Sequence, residues 1–277
     1  MISHQPTLDR LERYYDAVLR PLARAEDVGP LTLFVRDGAG WPLYARPALG
    51  LTADVSAGDV DRVRARQRAL GLPESFEWVA ETTPTLRAAA ERSGLVVREH
   101  PLLVLGAGAL LPVVRHRPDG VTVRMVAPAD PALPSALTVP HLAFAEPGGR
   151  VGATGLAELV AALPRHGGQP AVHATVEGIR AGRTAVAAAV DDESGLALCA
   201  GQRHVVADVS EIVGVGTLPA ARRRGLALAV TSALASDARA RGIRTVFLSA
   251  SDAEVERLYG QIGFVRVGTA LVASPPA

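Results

Sequence analysis

Apolar and polar positions along this chain recur with two periods, and the switches between them mark its elements. Leu8, Leu11, Tyr15, Val18, Leu19 and Leu22 stand close to helical spacing, which predicts a helix over 8–25. Leu31–Arg36 reads as a strand. The stretch 59–70 predicts a helix, with Asp59 and Asp61 early, where the helix dipole favours acids. A short strand over 76–80 follows. The next helix opens near Thr83-Pro84, a cap residue and a first-turn proline, and ends at Gly94. Residues 95–105 return to strand, broken at Pro101.

A Gly- and Pro-containing link over 106–120 places a domain boundary, dividing the chain into 1–112 and 113–277. Beyond it the pattern predicts a strand at 121–126, helices at 136–145 and 155–163, and strands at 171–176, 184–190, 196–200 and 211–218. Asp191-Asp-Glu-Ser-Gly195 is the hairpin turn between two of these. A basic loop (219–225) then leads to a helix over 226–241 ended by Gly242, a strand at 245–249, a helix at 253–262 ended by Gly263, and a last strand at 264–272. Helix, strand, helix, Gly, strand occurs at 59–103 and again at 226–272. Ser93-Gly94-Leu95 stands where Ile262-Gly263-Phe264 stands later, so one fold is expected twice in tandem.

Composition narrows the function classes. Of 277 residues, 48% are hydrophobic and 21% charged, a globular balance, and the net charge of +1 argues against binding a polyanion by bulk charge. Every basic side chain apart from histidine is Arg, and the chain has no Asn. The single Cys199 excludes an internal disulfide and fits a reducing compartment. No apolar run reaches membrane-spanning length, and the N-terminus has no basic-then-apolar leader, so a cytoplasmic location is expected. The seven His show no pair at i, i+2 or i, i+4 spacing, so no metal is expected.

The chemistry concentrates in Thr217-Leu-Pro-Ala-Ala-Arg222-Arg-Arg-Gly225-Leu-Ala227, between a strand and a helix. A helix N-terminus offers free N–H groups and the positive end of its dipole, the requirements of a phosphate site. Gly225 lets backbone approach a ligand, and Arg222 to Arg224 add fork-shaped donors. Three cations at a helix start run against the usual preference for acids there. Gly214-x-Gly216 imitates a dinucleotide fingerprint, but Pro219 takes the place of its third glycine.

Arg222, Gly225 and Ala227 resemble the Q/R-x-x-G-x-G/A motif of the GNAT superfamily of N-acetyltransferases. The Val246-Phe-Leu-Ser strand and the ending Leu258-Tyr259-x-x-x-Gly263-Phe264 are similar to that family too. The resemblance covers 121–272 and extends to the N-terminal half only as a degenerate copy. It implies an α/β fold with a mixed, mostly antiparallel sheet flanked by helices, and acetyl-CoA as cosubstrate. It also implies that Val215, Gly216 and Thr217 offer backbone groups to the pantetheine arm, and that Arg222, Arg223, Arg224, Gly225, Leu226, Ala227 and Leu228 hold the pyrophosphate. Tyr259 would protonate the leaving thiolate. Glu211, eleven residues before Arg222, would be the general base, with Asp208 as a weaker candidate. Such a base is needed, because an amine of pKa near 10 is only about one part in a thousand neutral at pH 7.

Some readings stay bland. Asp252 stands where relatives carry Asn and fits a plain helix cap. Trp41 and Trp78 read as core, although Trp41-Pro-Leu-Tyr44 could line a substrate cleft. The expected partners are acetyl-CoA and a small-molecule or peptide amine, with no nucleic acid and no membrane; a homodimer stays open, and the acceptor would sit between the domains or above splayed strands. The alternative is a non-catalytic acyl-CoA sensor on the same fold. Nucleic-acid binding through Arg222 to Arg224 is disfavoured by the near-neutral charge and few aromatics.

Overall fold

The computed structural model describes residues 4–36, 42–106 and 119–276, which group into two compact units. The first unit holds the chain up to Val104 together with Ser249–Arg257 and the residues from Val265 on; the second holds Leu105–Leu248 and Leu258–Phe264. The boundary expected at 112–113 lies outside the described residues.

The first unit contains α1 (Gln5–Leu19), β1 (Ala23–Val28), β2 (Leu31–Arg36), β3 (Ala45–Pro47), α2 (Ala57–Ala69), β4 (Phe76–Val79), α3 (Thr85–Arg92), β5 (Val96–Leu105) and the last strand, β11 (Phe264–Ser274), in the order β1-β2-β3-β4-β11-β5. The register Ala270 to Val79 through Ala273 to Phe76 ties β11 to β4. The helix expected to reach residue 25 stops at Leu19, just before Pro21, and Ala23–Val28 pairs instead with β2. β5 runs unbroken through Pro101, and Pro84 is the cap of α3, not its first helical residue.

Alternation along β3 and β4 gives this unit two unlike faces. Ala45, Phe76 and Trp78 join an apolar core with Val60 and Val63 of α2 and Leu86 of α3. On the other face Arg46, 2% exposed, donates to Glu12 Oε2 of α1 at 2.8 Å and lies 4.6 Å from the Tyr15 ring centroid. The Thr82 hydroxyl donates to Glu12 Oε1 at 2.7 Å. Burial pushes the Glu77 carboxyl up to about 7, against the opposing pull of Arg46 and the Tyr44 hydroxyl. One buried cation thus faces two carboxyls.

The second unit contains β6 (Val121–Val126), α4 (Leu133–Ala145), α5 (Leu156–His166), α6 (Gln169–Arg180), β7 (Thr184–Asp191), β8 (Ala197–Val206), β9 (Val209–Thr217), α7 (Leu226–Ala240) and β10 (Thr245–Ser249), with α8 (Ala253–Gly260) following. Its strands run β10-β9-β8-β7-β6, antiparallel except for the parallel β9–β10 pair. The strand expected over 171–176 is part of helix α6. Ala171-Val-His-Ala-Thr-Val imitates strand alternation, but Val172, Val176 and Ile179 keep the helical period across the longer segment, and Pro170 starts it. No helix among the described residues is long and apolar enough to cross a membrane.

α4 and α7 cover opposite faces of this sheet. A Cβ added to Gly216 would fall 2.9 Å from Pro140 Cα of α4, and one added to Gly201 would fall 3.4 Å from Leu234 Cδ1 of α7. Each unit also contains a parallel strand pair joined by a helix: β3-α2-β4 in the first and β9-α7-β10 in the second.

Glu77 makes stability depend on pH. Its folded carboxyl keeps a proton up to about pH 7, while the ordinary carboxyl releases it near 4.5. Its contribution is therefore full below about pH 4.5 and is lost as pH rises through about 7. Glu77→Gln is expected to melt higher than the parent protein at pH 8 and to gain much less at pH 4.5. Equal shifts at both pH values would contradict this.

Candidate functional site

β9 follows β10 for only three residues, Val209, Ser210 and Glu211, paired with Thr245, Val246 and Phe247. It then continues to Thr217 without that partner, so the sheet splits beyond Glu211. On its other side, Ala200 opposes Gly216 but Gln202 opposes Val213, which leaves one extra residue in β9. Gly214, at φ 62°, supplies the left-handed backbone of this bulge. The glycine pair that imitates a dinucleotide motif thus has two structural tasks: Gly214 forms the bulge, and Gly216 lets α4 approach.

The chain leaves β9 through a single 3₁₀ turn, Pro219–Ala221, and reverses at Arg223 (φ 64°) and Gly225 (φ 73°) before entering α7. Gly225 is the N-cap and has no side chain to bond the helix. The first helical bond runs from Ala229 N–H to Gly225 O at 3.1 Å, so the N–H groups of Leu226, Ala227 and Leu228 precede it. The equivalent helix of the first unit is closed. At α2, Ser56 Oγ accepts from Asp59 N–H at 3.3 Å, and Asp59 accepts from Ser56 N–H at 2.8 Å, a complete capping box. One helix start carries its own anion; the other carries arginines.

Two of those arginines bond to protein. Arg222 donates to the carbonyls of Ala143 (3.0 Å), Arg150 (3.1 Å) and Glu146, and Arg223 Nε donates to Gly149 O at 2.9 Å. They hold the C-terminal end of α4 and the segment after it, whose last carbonyls lack helical donors. Gly152 N–H to Pro219 O (3.1 Å) and Ala220 N–H to Thr154 O (3.0 Å) join the same two segments. Arg224 is exposed, and its charge helps hold the Asp191 carboxyl below the usual range, after the stronger hydrogen bonds from Ser194. The sequence identifies the arginines but not their carbonyl partners, which come from 72 to 79 residues away.

The remaining residues divide by face. Glu211, Val213 and Gly216 oppose His204, Gln202 and Ala200, and share the face that α4 covers. Thr217 opposes Cys199, on the α7 face. Tyr259, 6% exposed, lies on that face beside Thr231 of α7 and Cys199, with its ring 6.1 Å from Phe264. Burial pushes its hydroxyl up to about 12, which the contact with Thr231 partly opposes. That contact falls short of full hydrogen-bond geometry, since Thr231 Oγ1 is buried without a partner. Burial likewise pushes the Cys199 thiol up to about 12.

Several neighbours are structural. Asp252 caps α8, accepting from Glu254 and Val255 N–H at 2.8 and 2.9 Å, and these bonds lower its pKa. Asp208 accepts from Arg244 Nε at 2.6 Å, at the end of β9 away from the loop. Trp78 is core, and Trp41 lies outside the described residues.

Residues 194–271, from the β7–β8 turn into the last strand, match the family described as FR47-like protein. A GCN5-related N-acetyltransferase from Kribbella flavida has a similar structure, with a TM-score of 0.64, 22% identity, and 98% of this chain and 96% of that one covered. This chain has the GNAT fold. A second GCN5-related N-acetyltransferase, from Sphaerobacter thermophilus, is similar at TM-score 0.58 and 18% identity, over 95% of this chain and 86% of that one. A tandem GNAT protein from the clavulanic acid biosynthesis pathway is similar at TM-score 0.55 and 15% identity, over 89% of this chain and 79% of that one. No curated protein sequence matches the chain. The mixed, mostly antiparallel sheet with flanking helices is thus the expected one.

If the Arg222 guanidinium clamps α4, Arg222→Ala should destabilise the coenzyme-free protein by about 1–2 kcal/mol, visible as a melting point lower by several degrees. An unchanged melting point with only weakened anion binding would assign the side chain to phosphate instead.

Proposed function

We propose that this protein is an acetyl-CoA-dependent N-acetyltransferase that moves the acetyl group directly to a primary amine. The observation that carries this reading is the uncapped start of α7, placed at the end of a split, bulged strand within a GNAT fold. The N–H groups of Leu226, Ala227 and Leu228 suit the pyrophosphate, with the backbone of Arg222 to Gly225 around it. Arg224 supplies charge, and Arg222 and Arg223 hold the loop in shape. Val215, Gly216 and Thr217 lie on the part of β9 that β10 leaves, so their backbone groups suit the pantetheine arm.

Acetyl-CoA supplies an activated thioester. The acceptor ammonium loses one proton to Glu211, which returns it to solvent. The amine nitrogen then bonds the acetyl carbon as the C–S bond breaks, and the second N–H proton leaves as the amide forms and restores the Tyr259 hydroxyl. A β9 backbone N–H near Val213 or Val215 polarises the carbonyl. Tyr259 gives its proton to the departing sulfur. The Tyr259 hydroxyl, pushed up to about 12 by burial, is protonated throughout the neutral range, so the donor is present.

In this reading residues 1–112 are a degenerate copy and 113–277 carry the chemistry. Among the described residues the first unit offers no second coenzyme site, because Asp59 closes α2 and the Arg46 cluster fills the α1 face of β3 and β4. The alternative reading is an acyl-CoA sensor on the same fold without turnover. Thiol release across an amine panel separates the two.

Calorimetry is expected to find one coenzyme per chain. Gly225→Glu should abolish binding, while Gly225→Asn, which tolerates the left-handed backbone, should keep most of it. Micromolar affinity in the Glu variant would contradict the loop assignment. Tyr259→Phe should lower kcat by about tenfold or more with coenzyme affinity unchanged; an unaltered kcat would remove it from the mechanism.

A further inference from the structure

The strand row that contains Glu211 holds a second titratable group. Thr184 of β7 opposes His204 of β8, and His204 opposes Glu211 of β9, so the three side chains share one face in a line across three strands. His204 Nδ1 lies 3.2 Å from Thr184 Oγ1. That contact holds the ring from the β7 side. Directly opposed residues of antiparallel strands have Cβ atoms about 4.5–5.5 Å apart, within reach of an imidazole and a carboxylate. Glu211 is also the last β9 residue paired with β10, so this line ends where the sheet opens.

We infer that His204 is a positioning residue for Glu211, holding its carboxylate at the opening and setting its proton affinity. The inference rests on the proposed function for its role in turnover, but the pairing can be tested without it. α4 carries one titratable side chain, His141, which stacks on His166 of α5, over the face that holds the His204 imidazole. Gln202, its same-face neighbour on β8, is neutral. Arg203 belongs to the other face, where it bonds Asp237 of α7 at 3.0 Å. Over Thr184, α6 presents Gly178, and its neighbour Glu177 pairs with the exposed His173. Glu211 is thus the charged residue that the strand register sets beside the ring.

Chemically, a ring nitrogen that donates to Glu211 stabilises the charged carboxylate and lowers its pKa, and the carboxylate raises that of the ring. Thr184 keeps the ring in the orientation this needs.

Ring NMR of the full-length protein tests the pair directly, with His204→Gln used to assign the signal. Glu211→Gln, which keeps shape and loses charge, is expected to lower the His204 pKa by about one unit or more. A shift under a few tenths of a unit would overturn the inference. With an amine substrate, His204→Ala should move the acidic limb of kcat/KM upward and leave the KM for acetyl-CoA unchanged; an unmoved limb would also overturn it. A ring shift with no turnover of any amine would count against acetyl transfer and leave the pairing intact.

Discussion

The start of α7 is the constraint on which the rest of the second unit depends. Among the described residues, the N–H groups of Leu226, Ala227 and Leu228 meet no acceptor, and no side chain caps the helix. Open donors at a helix end are ordinarily satisfied by a capping oxygen or water; no protein group does so here, and arginines stand beside them, which is why we propose an anion for this site. The surrounding features follow from that. Gly225 and Arg223 adopt left-handed backbone so that the turn is short, and Arg222 and Arg223 hold the α4 end against the loop. The first unit shows the contrasting solution. Its crossover helix between parallel strands begins with a Ser56–Asp59 capping box, which supplies the anion from within.

The split of β9 from β10 extends this logic to chemistry. A strand that loses one neighbour exposes backbone donors and acceptors, and the Gly214 bulge twists that exposed stretch. The strand register then separates the two groups proposed to handle protons. Glu211 lies on the α4 face with His204, and Tyr259 lies on the α7 face with Thr231 and Cys199. A reaction centred in the split can therefore take a proton on one face and return one on the other, without the acid and base neutralising each other.

Much of this was legible in the sequence. The β9–loop–α7 order, the helix after Gly225 and the Leu258 to Phe264 ending all rest on local signals: strand alternation, a glycine stop and a helical period. Three things were not. The polar strand Ala23–Val28 lacks apolar alternation and forms because β2 offers it an edge. Helix α6 imitates a strand over six residues and betrays itself only over twelve. The ties of Arg222 to Ala143 and Glu146, and of His204 to Thr184, are decided by register and packing between distant segments. The sequence ended its strand near Ala200, which left His204 off the sheet; extending the alternation to Val206 brings His204 into line with Glu211.

The central claim is that the open start of α7 is where the coenzyme's phosphates bind. Backbone amide NMR during titration with coenzyme A tests it most directly. The account requires the largest amide shifts at Arg224 through Leu228, with little change at Ser56 through Asp59. Shifts centred on α2, or none at the start of α7 under saturating coenzyme, would contradict it.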